Sequence, residues 1–178
     1  MADDWRDHWN RLVTLQERIE QHATGRMGSR TDADSDFASF VVESENLRDA
    51  VKVAKPDLEK AVLIAVRQWT SLQLAHDLAI KDKHGHQKSR PWSTAQDVTY
   101  VVKISKRIRY SASLFQRRAA STTLLGTPPV PAPGPERWAH QWEIRYTPLS
   151  TTLTVDGVQF SRNVIADWRR VLGAFGLM

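Results

Sequence analysis

Between Asp57 and Ile80 the apolar residues Leu58, Val62, Ala65, Trp69, Leu72 and Ala79 recur at the helical period, and Leu63, Val66, Leu74 and Leu78 widen the stripe they form. A helix apolar over so much of its circumference must be enclosed by other elements rather than laid along a surface. The spacing predicts one continuous central helix over 57–80, with Pro56 in its first turn, where the missing N–H costs little. The rest of the chain has to supply the faces that enclose it.

Two other segments can do so from the N-terminal side. Trp5, Trp9, Leu12, Gln16 and Ile19 mark a helix over 3–21 whose N-terminal end is favoured by Asp3 and Asp4. Residues 22–36 are rich in Gly, Ser and Asp without periodicity and read as a flexible loop. A second helix starts near Asp36 and carries Phe37, Phe40, Val41, Leu47 and Val51 until Pro56 ends it.

Beyond Pro91 the period changes from helical to alternating. Val98, Tyr100, Val102 and Ile104 occupy every second position, as in a half-buried strand. Residues 107–125 fit either a strand extension or a short helix, and 126–136 form a Pro-rich connector. Residues 138–148 and 151–161 read as further strands, the second interrupted by Asp156-Gly157, a pair suited to a tight hairpin turn. Val164, Ile165, Trp168, Val171 and Leu172 define a last helix over 161–175. The fold class expected is α+β and mainly helical: a core of about four helices, with a small antiparallel sheet inserted before the C-terminal helix, in a single domain.

At 178 residues the chain is long enough to bury such a core, and 41% hydrophobic content is that of a globular protein. The absence of cysteine excludes disulfides and thiolate chemistry. No apolar run is long enough to cross a membrane, and the acidic, tryptophan-containing start lacks the features of a secretory signal. These features place the chain in the cytoplasm as an expectation. The net charge of +5 is unevenly spread: Lys81, Lys83, Lys88, Arg90, Lys103, Lys106, Arg107, Arg109, Arg117 and Arg118 stand against only Asp82 and Asp97 over 81–118. This basic stretch favours a polyanionic partner.

Chemically capable side chains gather where the central helix ends. His76, Asp77, Lys81, Lys83, His84 and His86 follow one another at spacings that let an imidazole, a carboxylate and ammonium groups converge. Basic residues before Gly85 are also what a helix C-terminus calls for on structural grounds alone. The pair His84 and His86 lacks a third ligand at diagnostic spacing, so neither a metal nor another cofactor is expected. Of the tryptophans, Trp69 and Trp168 fall in apolar stripes, whereas Trp92 beside the basic stretch is the first choice for an exposed stacking surface, followed by Trp138 and Trp142.

The segment LAHDLAIKDKHGH resembles the helix end of HEPN-type domains, small helical bundles of bacterial and phage conflict systems. In that family's nucleases an arginine, a polar residue, a spacer and a histidine often followed by glycine form the RNA-cleaving motif. Here His84 and Gly85 match, but Ala79 stands at the arginine position and Ile80 at the polar one. The stretch from Phe37 onward, with its Leu47-Arg48-Asp49 element, is also similar to uncharacterised bacterial and actinophage proteins. The resemblance covers 37–90 and implies a helical scaffold used for RNA cleavage or binding. Without the bidentate fork of an arginine, which Lys81 or Lys83 cannot reproduce, it implies loss of cleavage.

Three readings follow as expectations. The first is a non-enzymatic regulatory or interaction protein, phage-borne or conflict-related, that presents Lys81, Lys83, His84, His86, Lys88, Arg90, Trp92, Arg107 and Arg109 to nucleic acid or to an acidic protein. The second is a metal-independent ribonuclease using His84 with Lys81, Lys83 and His76. The third is a homodimer module joined through the tryptophan stripe of the first helix.

Overall fold

A computed structural model describes residues 4–26, 29–84, 92–93, 95–108, 137–148 and 152–178, with the backbone alone for 83, 84, 95–97, 101–108, 137, 138 and 148. Among the described residues the chain forms five α-helices, one short 3-10 turn and three strands. Helices α1 (Trp5–Ala23), α2 (Arg30–Ala54), α3 (Glu59–Val66) and α4 (Thr70–His84) precede strands β1 (Ala95–Ile108), β2 (Arg137–Pro148) and β3 (Leu153–Asp156), and α5 (Gly157–Ala174) closes the order. The expected class is realised: a mainly helical body with a small antiparallel sheet ahead of the last helix. None of the described helices is long and apolar enough to cross a membrane.

Helix α1 starts where Asp4 accepts from the Arg6 amide at 3.2 Å. Its stripe of Trp5, Trp9, Leu12 and Ile19 is buried within the chain, so the surface proposed for a dimer is already covered. Helix α2 begins at Arg30, taking in residues 30–36 that were expected to be loop. The reason is a reciprocal cap: Ser29 Oγ accepts from the Asp32 amide at 3.2 Å, and the Asp32 carboxylate accepts from the Ser29 amide at 2.8 Å. The two Ser29 hydrogen bonds, backbone first, hold the Asp32 carboxyl below its ordinary range.

The central helix expected over 57–80 is in fact divided. A 3-10 turn (Pro56–Leu58) leads into α3, the chain turns at Arg67 and Gln68, and α4 starts at Thr70. No glycine or proline marks this break. Side chains secure it instead: Gln73 donates to the Arg67 carbonyl, and Ser71 donates to Asp167 of α5. Leu72, Leu74, Ala75, Leu78 and Ala79 of α4 are buried, which preserves the enclosure the stripe requires.

The sheet order is β1-β2-β3, antiparallel throughout. Tyr100 pairs with Ile144, Val102 with Trp142 and Ile104 with His140, and the register shifts between Ile104 and Lys106. Ile144 in turn pairs with Val155. The sheet meets the helices at Phe37, whose ring lies 5.7 Å from that of Trp142 with planes 19° apart, and near those of Tyr100 and Phe160 at 4.9 Å and 6.1 Å. One side chain of α2 thus joins both long strands to α5.

Asp156-Gly157 is not the hairpin turn expected of it. Asp156 caps α5 by accepting from the Gln159 amide at 2.9 Å, and residues 158–161 are helical rather than extended. Glycine is required there for space: a Cβ on Gly157 would sit 2.3 Å from Cβ of Trp142. Because that atom lies next to the strand backbone, it cannot yield without moving β2. Gly157→Ala is expected to destabilise the protein by about 1–3 kcal/mol through overpacking, as read from the urea midpoint at an unchanged slope.

Candidate functional site

Helix α4 presents its polar residues in different directions, so the convergence expected at its end is split. His76 faces α2, where its Nδ1 lies 2.9 Å from Oε2 of Glu45. Its ring stacks on Trp92 with centroids 3.6 Å apart and planes 20° from parallel. Arg48 is ion-paired with Glu45 and, at 2.8 Å, with Asp49, and its guanidinium stands 5.1 Å from the Trp92 ring centroid. The Nδ1 proton goes to the carboxylate, so the 3.3 Å approach of Arg48 to the same nitrogen is packing rather than a hydrogen bond. From the turn after α3, Arg67 places its guanidinium 4.6 Å from the same indole.

Asp77, the next residue of α4, is buried and does other work. Its carboxylate accepts from the Trp92 amide at 2.8 Å, from the Ser93 amide at 2.9 Å and from the Ser93 hydroxyl. Three donors on one carboxylate fix the backbone at Trp92 and Ser93, ahead of β1. Through this anchor Asp77 sets the position of the Trp92 ring on His76.

Lys81 donates from Nζ to the Val98 carbonyl at 3.2 Å, tying α4 to the start of β1. It shares with Leu78, Asp82, Thr99 and Tyr100 an open cleft of about 320 Å³. Burial above all, then the charges of Asp34 and Asp82, push the Tyr100 phenol above its usual range.

The other residues expected at a contact surface are placed as follows. Lys83 and His84 form the last turn of α4, eight residues and about 12 Å beyond His76 for the latter. Arg107 pairs in register with Trp138 on the β-ribbon. His86, Lys88, Arg90 and Arg109 lie outside the described residues, as does the Pro-rich 126–136 segment. Trp92 is half-buried, with one ring face stacked on the His76 imidazole and the Arg48 and Arg67 guanidinium groups close to the ring, rather than open on both faces. Trp142, expected among the exposed tryptophans, is fully buried beside Phe37. Among the described residues no group of three or more histidines and carboxylates is arranged to hold a metal.

Glu45, Arg48 and Arg67 belong to this site and do not stand out in the sequence as chemistry. Glu45 and Arg48 are three apart on α2, a spacing that puts them on one face and could have flagged a pair. Arg67 lies in a turn that the apolar period conceals. No protein-family model, curated protein or solved structure matches the chain.

Removing the Asp77 carboxylate tests the anchoring role directly. Asp77→Ala leaves the amides of Trp92 and Ser93 and the Ser93 hydroxyl without this acceptor, for an expected loss of about 1–3 kcal/mol in chemical unfolding. A change in the near-ultraviolet tryptophan signal should accompany it as Trp92 leaves His76.

Proposed function

We propose that this protein is a non-enzymatic module that binds nucleic acid through Arg67 beside Trp92 together with basic residues of the Lys- and Arg-rich 81–118 segment. The observation that carries this reading is Arg67: its guanidinium is exposed, lies 4.6 Å from the Trp92 ring centroid, and has no ion-pair partner among the described residues. An exposed guanidinium this close to an indole is suited to a phosphate beside a stacked base. Further support comes from the excess of Lys and Arg over acids across 81–118 and from the HEPN-like wording of 79–85.

The distribution of polar contacts favours binding over cleavage. His76 has its Nδ1 on Glu45 and one ring face on Trp92, and Lys81 is engaged with a backbone carbonyl. A second reading, a metal-independent ribonuclease, draws on the same geometry, because a buried carboxylate that orients an imidazole beside an arginine is an arrangement general bases use. In the proposed reading that arrangement serves to seat Trp92. The phage or conflict-system setting belongs to this proposal as the context the resemblance suggests.

A fluorescent single-stranded oligonucleotide titrated at several salt concentrations tests both readings. Affinity should fall linearly in the logarithm of salt, and Arg67→Ala should weaken binding and shallow the slope by about 0.7 for one lost phosphate contact. The oligonucleotide should remain intact. Absence of binding at low salt would reject nucleic acid in favour of an acidic protein partner, and cleavage abolished by His84→Ala or His76→Ala would establish the ribonuclease.

A further inference from the structure

Where β2 crosses the helices, His140 and Trp142 lie on its packed face, with His22 of α1 against both. The ring centroids are 5.7 Å from His22 to His140 and 6.3 Å from His22 to Trp142, each edge to face. His22 is fully buried, with Nε2 at 2.8 Å from Oδ2 of Asp36, and Arg18 reaches the other oxygen of that carboxylate at 2.9 Å. His140 is only 2% exposed, and its Nδ1 has no hydrogen-bond partner among the described residues. No carboxylate among those residues forms an ion pair with it.

The charged and titratable groups that bear on His140 come from α1 and α2. They are His22 of α1, and Arg30 and Asp32 at the start of α2. Arg18 and Asp36 stand behind His22. Asp32 is the one carboxylate acting on His140 directly, and it is committed to the Ser29 cap. An imidazolium at this position would be a buried cation beside Arg30 and His22 without a counter-ion in contact.

We propose that His140 is a proton-sensitive lock on the seating of β2 against α1 and α2: the neutral ring packs edge to face with His22, and the protonated ring is expelled from the interface. Burial first, then His22 and Arg30, lowers the affinity of this imidazole for a proton, and a backbone hydrogen bond with His22 and the charge of Asp32 oppose them only in part. In the unfolded or unseated chain His140 takes up its proton at the ordinary value of about 6.5. Below that value the unseated state therefore holds more protons, so seating is complete above it and weakens as pH falls toward the lower folded value. Because the β-ribbon carries Lys103, Lys106 and Arg107, acidification would loosen a basic element that neutral pH holds in place.

The test compares the full-length chain with His140→Gln by thermal unfolding at about pH 7.5 and about pH 5.5, on either side of the free histidine value. The wild type should lose about 2–4 °C more in Tm than the variant over that interval, a shift this chain length makes readable. An NMR titration of the histidine rings in the wild type alone should give His140, assigned by its loss in the variant or by sequential connectivities, a midpoint below that of a free histidine. Equal pH dependence of the two proteins would overturn the proposal. So would a His140 ring that titrates at or above the free value, and that measurement stands even if the variant does not fold.

Discussion

Three carboxylates on α2 organise the helical body, and each is held by one histidine and one arginine. Asp36 takes His22 at 2.8 Å and Arg18 at 2.9 Å. Glu43 takes His8 at 2.8 Å and Arg11 at 2.9 Å. Glu45 takes His76 at 2.9 Å together with Arg48. A carboxylate removed from water needs both a balancing charge and full occupancy of its oxygens. The arginine supplies the first; for the second, the imidazole takes the other oxygen of Asp36 and Glu45, and Asn46 takes it at Glu43. Helix α1 grips α2 at two such points and α4 grips it at a third, which fixes the rotation of both helices where apolar packing alone would tolerate sliding. Such pairs do not by themselves raise stability above that of an apolar contact, but losing one partner exposes the other to the full penalty of burial.

This constraint separates structure from function at the end of α4. His76 and Asp77 look alike in sequence as candidates for proton transfer, yet one completes a carboxylate pair on α2 and the other anchors the Trp92-Ser93 backbone. Their combined effect is to hold an indole in place on His76 and near the guanidinium groups of Arg48 and Arg67. Of those two arginines Arg48 is neutralised by Glu45 and Asp49, whereas Arg67 faces solvent. The two cations beside the indole thus differ in kind, Arg67 exposed and Arg48 half-buried in ion pairs.

Much of the fold was readable from apolar period. The stripe of α1, the core residues Phe37, Phe40 and Leu47 of α2, Val98 of β1 and the stripe of α5 all correspond to buried positions. What escaped reading was polar. The start of α2 looked like a loop because Ser29 and Asp32 are turn formers unless they cap each other. The same ambiguity made Asp156-Gly157 resemble a hairpin turn, when aspartate serves as a helix cap and glycine makes room for Trp142. The division between α3 and α4 left no breaker residue, since it is held by Gln73 and Ser71 through contacts that only the folded chain brings about. The carboxylate pairs on α2 are the clearest case: His22 and Asp36 are fourteen residues apart, His76 and Glu45 thirty-one, so no local spacing announces them. The tryptophans show the limit in the other direction, because Trp142 beside polar neighbours reads as exposed and is a centre of the core.

The most direct test of the claim that paired carboxylates on α2 orient its neighbours is a double-mutant cycle on Glu45 and His76. Each is replaced by alanine singly and together, and unfolding free energies are measured in urea. Loss of the Trp92 stack occurs in both arms that remove His76, so it cancels from the coupling term. The expected result is a coupling of about 1–3 kcal/mol, with the double variant less destabilised than the sum of the single ones. Additivity within about 0.5 kcal/mol would contradict the account, because it would mean that the two side chains lie together without holding the helices to each other.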